Sequence, residues 1–374
     1  MTHPAHVFPA RKVFANLVTC LALMLWPGLA AALDVTVATF TTRFSHFGPG
    51  LLFQHLQKAV DPHVEEEIKT IVALKADVLL LTNFDYDYDG FALGALQVRL
   101  RDLGLDYADA LGLQPNTGIP TWLDLNHDGA LSGPRDAQAY GRFAGQAGMA
   151  ILSRYPIDRA HIRDFTALLW KDLPEADLPP DMDQDARLLQ RLSNAGHYEV
   201  PVTYAQGKTL RLLVWSATPP LFDGPEDRNG RRNADETALW LHLLDGTLPK
   251  IAPEAGVNAP PEEPFVILGQ ANLDPADGSG KPQSLLALLS HPLLQDPAPR
   301  GPASHNDAGQ RGDPALDTAA LKSGAGLRLD YLLPSRNITV QTASVLWPMQ
   351  RPPLAEGETP TTQHFPVIAR LTLP

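Results

Sequence analysis

Two hydrophobic periods alternate along the first part of the chain. Val35 to Phe40 is a short apolar run that reads as a buried strand, and Val78 to Thr82 reads as a second. Between and after them, His63 to Leu74 and Phe91 to Leu103 carry apolar residues at helical spacing. Beyond residue 148 strand-like runs dominate: Met149 to Ser153, Val200 to Tyr204, Leu210 to Trp215, Phe265 to Leu268, Leu327 to Leu333, Ile338 to Leu346 and Val367 to Leu373. Helical patterning returns at Asp235 to Leu244 and Pro282 to Leu289. Pro/Gly-rich stretches at 105–148, 171–186, 218–233 and 290–325 read as long loops. Irregular alternation of this kind predicts one α/β domain, two mixed sheets packed face to face with helices outside, and no interdomain linker.

The N-terminus follows a different rule. Arg11 and Lys12 precede an apolar stretch from Val13 to Trp26, Pro27-Gly28 breaks it, and the small residues Ala30 to Ala32 follow. That order predicts a cleavable signal peptide over residues 1–32 and a mature chain from Leu33 to Pro374. The apolar core is shorter than the roughly 20 residues of a spanning helix. A retained N-terminal anchor is the alternative. Export to the periplasm or the extracellular space is expected.

Cys20, the only cysteine of the chain, falls inside this segment, so the mature chain has no thiol for a disulfide, a nucleophile or a metal. Cleavage removes two positive charges and no negative ones, so the formal charge moves from -12 to -12 - 2 = -14. An acidic surface disfavours nucleic acid as a partner. A monomer is expected.

Several clusters carry candidate chemistry. Asp124, Asn126 and Asp128, with Gly129 sixth from Asp124, open like an EF-hand-type calcium loop, although Arg135 stands at the twelfth position where Glu is required. Asp85, Asp87 and Asp89 alternate with Tyr86 and Tyr88, which on an extended segment puts the carboxylates on one face, either as a cation site or as a solvated acidic loop. Arg228, Arg231 and Arg232 precede the helix predicted at Asp235; they would clamp a phosphate or pair internally with Glu226, Asp227 and Asp235.

Six segments stand in a telling order: Val37 to Thr42, Asp77 to Asp87, Gly148 to Ile157, Gly269-Gln270-Ala271-Asn272, Leu329 to Leu333, and Thr362 to Val367. Over essentially the whole mature chain they resemble the endonuclease/exonuclease/phosphatase (DNase I-like) superfamily. The match is closer to its exported bacterial branch, which carries Phe-Asp-Tyr-Asp (84–87 here) and Asp-Gly-Pro-Glu-Asp-Arg-Asn-Gly-Arg-Arg-Asn (223–233 here). The resemblance implies a four-layer α-β-β-α sandwich. It also implies a divalent cation, usually Mg²⁺, held by a Glu after the second strand and an Asn after the first. A central His, a Gly-Asp-X-Asn motif and a terminal Ser-Asp-His motif complete the family's hydrolytic set.

Here that set is altered. Thr41 stands for the first Asn, Asn83 for the metal-binding Glu, Ser216 for the central His, Gln270 for the Asp of Gly-Asp-X-Asn and Gln363 for the Asp of Ser-Asp-His. Asn272, Asp330 and His364 keep the family identities. Amides cannot act as general bases or anionic ligands, and losing one member of a cooperating set costs on the order of 10³ to 10⁶ in rate. The leading expectation is therefore a pseudoenzyme that keeps a cleft for a phosphorylated or other polar small molecule. An active Mg²⁺-dependent phosphoesterase or nuclease using Asp85, Asp87, Asp274, Asp330 and His364 is the second reading, and a calcium-stabilised extracytoplasmic interaction protein the third. In all cases Thr41, Asn83, Ser216, Gln270, Asn272, Gln363 and His364 are expected to converge at one end of the strands.

Overall fold

In the computed structural model, β1 (Leu33–Phe44) is followed by α1 (Leu51–Lys58), α2 (Pro62–Leu74), β2 (Val78–Phe84), α3 (Phe91–Asp102), β3 (Asp109–Leu113) and β4 (Gly148–Ser153). Then come β5 (Arg163–Asp164), α4 (Gln184–Leu189), β6 (His197–Ala205), β7 (Lys208–Ser216), α5 (Arg228–Leu244), β8 (Phe265–Gln270) and α6 (Gln283–Leu289). The chain closes with β9 (Ala319–Ala320), β10 (Gly326–Leu327), β11 (Asp330–Pro334), β12 (Thr339–Val345), β13 (Gln363–His364) and β14 (Val367–Leu373). The structure describes residues 1–2, 33–251, 256–302, 309–321, 325–347 and 363–374. Apart from its first two residues, the signal segment predicted at 1–32 lies outside them.

Two mixed sheets carry the fold. One has the order β12-β14-β1-β2-β4-β3 and the other β11-β8-β7-β6-β5. In the first, only β1 and β2 run parallel, and in the second only β7 and β8 do. Side-chain alternation along each strand splits its residues between two faces. Val35, Val37, Val78, Leu80 and Ile151 meet Val200, Leu212, Val214, Val266 and Leu332 in a core between the sheets. The opposite face of the first sheet, with Ala38, Phe40, Leu79, Leu81 and Leu152, packs on Leu52 and Leu56 of α1, Ile68 and Ile71 of α2 and Leu96 and Leu100 of α3. The opposite face of the second, with Leu213, Trp215, Ile267, Tyr331 and Leu333, packs on Leu239, Trp240 and Leu243 of α5 and Leu285 and Leu288 of α6. The result is the four-layer α-β-β-α sandwich expected from the sequence.

Several elements differ from the hydrophobic pattern. α1 was hidden because only two of its positions, Leu52 and Leu56, are buried, too few to announce a period. β3 lies inside the stretch read as a loop at 105–148, an edge strand with one buried residue. The strand expected over Leu327 to Leu333 divides into β10 and β11, and α5 begins seven residues before Asp235. Its first turns bury Arg232, Asn233, Asp235 and Glu236, so their polarity concealed the helix.

Register brings the candidate positions together. Thr41 at the end of β1 pairs with Thr82 on β2, Ser216 at the end of β7 pairs with Gln270 on β8, and Gln270 pairs in turn with Asp330 on β11.

Candidate functional site

Asp330 is the centre of the arrangement. Its side chain is fully buried, and both carboxylate oxygens are occupied. Oδ1 accepts the Thr41 hydroxyl at 2.5 Å, and Oδ2 accepts the Thr318 hydroxyl at 2.9 Å and lies 2.7 Å from His364 Nδ1. Thr41 Oγ1 also lies 2.7 Å from Thr82 Oγ1. Thr318, just ahead of β9, accepts the backbone N–H groups of Leu329 and Asp330 as well, which fixes the start of β11. A carboxylate facing Nδ1 makes that nitrogen the donor, so in the neutral ring Nε2 is the acceptor. The network joins both sheets to β13.

A second network runs along the neighbouring strand ends. Ser216 Oγ donates to Gln270 Oε1 at 2.9 Å, Gln270 Nε2 donates to Asn272 Oδ1 at 2.9 Å, and Asn272 Nδ2 donates to the Ala217 carbonyl at 2.7 Å. Asn272 adopts a left-handed backbone, φ 54°, which Asn tolerates better than most residues. From below, Asn233 of α5 donates to the carbonyls of Thr218 and Ala271. Glu236 accepts the amides of Asn194 and Thr218, and burial pushes its carboxyl up to about 7.

Of the seven residues expected to converge, Thr41 and His364 meet on Asp330, and Ser216, Gln270 and Asn272 form one chain beside it. Asn83 stands at the end of β2 with φ 56° and donates its amide to the Thr42 carbonyl at 2.6 Å. Gln363, half-buried, lines a separate cavity with His364.

The family's Mg²⁺ does not fit these residues. A hard dication needs anionic oxygens with free lone pairs, and Asn83, the residue matched in sequence to the family's metal-binding Glu, is a neutral amide bonded to a carbonyl, while both oxygens of Asp330 already accept hydrogen bonds. Asp274, offered in the second reading, accepts the amides of Ala276, Asp277 and Arg328. Asp85 and Asp87 do not act as a pair: Asp85 is buried and accepts the amides of His46 and Ala147, whereas Asp87 accepts those of Phe91 and Ala92 at the start of α3.

The other clusters are also internally engaged. Asp124 accepts the amides of Asp128 and Gly129, Asp128 accepts that of Ala130, and Asn126 bonds Asp128. Beyond Arg135, buried Asp136 closes the turn on the amides of Leu125 and Gly133. Arg228 donates to Gln190, Arg231 to Asp177, and Arg232 to the carbonyls of Gln138, Arg191, Leu192 and Ser193. The arginines are thus paired internally, but not with the side chains of Glu226, Asp227 and Asp235 proposed for them.

Two groups escaped the sequence reading. The first is the cavity of about 180 Å³ beside His364, lined by Arg43, Glu66, Glu67, Trp347 and Gln363 among others. Arg43 Nε donates to Glu67 Oε1 at 2.7 Å and an Arg43 terminal nitrogen donates to Glu66 at 2.6 Å. Glu67 Oε2 is buried without a partner, and burial, only partly offset by Arg43, pushes this carboxyl up to about 7. The second is His46, His55 and Asp61, whose ligand atoms lie within 4.8 Å of one another. Burial lowers the His46 imidazole below its ordinary value, and His55 adds to the effect. Neither group carries a motif; Glu67 on α2 and His364 on β13 are 364 - 67 = 297 residues apart, and the two histidines are nine residues apart.

Comparison with known proteins bears on the fold and the family. Residues 56–351 match the model of the Endonuclease/Exonuclease/phosphatase family. Among solved structures, an endonuclease/exonuclease/phosphatase from Beutenbergia cavernae DSM 12333 is similar with a TM-score of 0.52 and 15% identity, covering 91% of this chain and 72% of that one. An endonuclease/exonuclease/phosphatase family protein from Bacteroides thetaiotaomicron gives a TM-score of 0.49 and 14% identity, covering 92% of this chain and 99% of that one. A mannosyl-6-phosphatase from Bacteroides thetaiotaomicron VPI-5482 gives 0.47 and 15%, covering 91% and 100%. No curated protein matches. The family match spans well over half of the chain, and the chain belongs to the endonuclease/exonuclease/phosphatase family.

Proposed function

From that membership we propose that this is an exported member of the family in which metal-assisted hydrolysis has been lost, while the cleft beside His364 binds a phosphorylated or other polar small molecule. One observation carries the reading: Thr41, Asn83, Ser216, Gln270 and Asn272, matched in sequence to the family's catalytic positions, are neutral side chains hydrogen-bonded within the protein. Ser216, Gln270 and Asn272 are neutral and bonded to one another and to the Ala217 carbonyl, and Asp330 is engaged by Thr41, Thr318 and His364, so these positions offer neither the family's anionic metal ligand nor its water-activating Asp. Export rests on the order of residues at 11–32, and the acidic charge argues for a small ligand rather than nucleic acid.

A phosphomonoester and phosphodiester hydrolysis panel with Mg²⁺, Mn²⁺ and Ca²⁺ tests the reading. The expected result is no turnover above that of His364→Ala, together with a thermal shift on adding a polar phosphorylated ligand. The second reading, an active hydrolase with a rearranged site, is favoured by the intact Asp330 and His364 pair. Metal-dependent turnover that His364→Ala abolishes would establish it and overturn the first.

A further inference from the structure

We propose that His46, His55 and Asp61 form a binding site for a transition-metal dication of the zinc class, separate from the family's magnesium position. The three residues come from three elements that meet outside the end of β1. His46 follows β1, His55 lies on the last turn of α1, and Asp61 caps the N-terminus of α2. Asp61 divides its two oxygens: Oδ1 accepts the amide of His63 at 2.9 Å, and Oδ2 lies 3.0 Å from His55 Nδ1. That ring nitrogen is buried and has no aligned hydrogen-bond partner, and neither has His46 Nε2. The two imidazoles meet edge to face, with centroids 4.5 Å apart. Two buried imidazole nitrogens and a carboxylate oxygen thus lie within 4.8 Å of one another, and no aligned hydrogen bond of the protein accounts for the two nitrogens.

The donor chemistry selects the ion. Imidazole suits zinc and its neighbours in the first transition row, whereas Mg²⁺ and Ca²⁺ want an oxygen cage. Bonds of 2.0–2.1 Å in a tetrahedron place ligand atoms about 3.3 Å apart. The present atoms, within 4.8 Å of one another, reach that spacing by small side-chain rotations. Three protein ligands leave a fourth position for water.

Support behind the ligands is also present. The backbone of His46 is held on both sides: its N–H donates to Asp85 Oδ2 at 2.8 Å, and its carbonyl accepts Gln146 Nε2 at 2.8 Å. Asp85 of the Phe-Asp-Tyr-Asp segment is then a positioning residue, keeping the loop after β1 where His46 faces the other two ligands. An ion here would clamp that loop, α1 and the N-terminus of α2, the helix that carries Glu66 and Glu67 to the cavity beside His364.

The experiment uses the full chain, stripped with chelator and titrated calorimetrically with Zn²⁺ in excess Mg²⁺. Bound zinc is counted by elemental analysis after gel filtration, and the visible spectrum is recorded with Co²⁺. One zinc per chain and a tetrahedral Co²⁺ spectrum are expected. His46→Ala and His55→Gln should each weaken zinc binding by more than about 100-fold, and Asp85→Asn by about 10- to 100-fold, the range for an outer-shell partner. Circular dichroism of both ligand variants checks that they remain folded, and His55→Gln, which keeps a polar side chain of similar length at a partly exposed position, keeps the test alive if His46→Ala does not. Absence of zinc binding by the wild-type chain, or binding undiminished in the His46→Ala/His55→Gln double variant, would overturn the proposal.

Discussion

A carboxylate with both oxygens occupied holds a structure together whatever else it does. Asp330 takes hydrogen bonds from Thr41 and Thr318 and faces His364. In Asp330→Asn an amide N–H₂ would face donors on one side, leaving buried groups unpaired at about 1–3 kcal/mol each. A loss of about 2–4 kcal/mol in urea-induced unfolding is expected. Glu67 makes a different prediction. Its folded pKa of about 7 exceeds its ordinary 4.5, so its contribution is most favourable below pH 4.5 and is lost as pH rises through about 7. Wild type should therefore gain stability relative to Glu67→Gln by about 1–3 kcal/mol between pH 8 and pH 5, read from thermal midpoints of both proteins. At this scale the sequence revealed what kept its chemical type. Asn272, Asp330 and His364 could be picked out by identity, and Gln270 and Ser216 by their distance from them. Thr318 and Glu67 could not, because their importance comes from a contact across the fold that no spacing encodes.

Among the elements, α5 was the hardest to read. Its N-terminal half is buried yet polar: Arg232 donates to four carbonyls, Asp235 accepts Trp170 Nε1 and the Asp177 amide, and Asn233 ties α5 to Thr218 and Ala271. A period in hydrophobicity vanishes when the inward face is hydrogen-bonded instead of apolar. Its C-terminal half, with Leu239, Trp240 and Leu243 in the core, was legible for the opposite reason. Asn233→Ala strands two buried carbonyls and should cost about 1–3 kcal/mol, with faster hydrogen exchange at Ala271 and Asn272 as the local readout. Gly269, on β8, has φ 145°, and a Cβ there would come 2.0 Å from the Trp215 carbonyl oxygen. Gly269→Ala should destabilise by about 2–4 kcal/mol, since strand β7 has no room to retreat between its neighbours.

For the whole molecule, the layers were legible because the strands buried on both faces are continuous apolar runs, while the short edge strands β3, β5 and β13 and the two-residue β9 lacked such a run. The proposed export makes one further expectation concrete. Protein recovered from outside the cytoplasm should begin at Leu33 by N-terminal sequencing, and a longer species retained in the membrane fraction would favour an anchor. Leu33 is also the first residue of β1, paired with Leu373.

That pairing has a consequence for the order of events in the cell. β1 lies between β2 and β14, so among the described strands the first in sequence is completed by the last. Until residues 367–373 have been synthesised, one edge of β1 has no partner, and nearly the full chain length separates the two strands. Closing so long a loop is slow. A sandwich of this topology cannot be completed while residues 367–373 are still missing, so an unfinished chain is available, as the proposed export would require, for passage in an unfolded form.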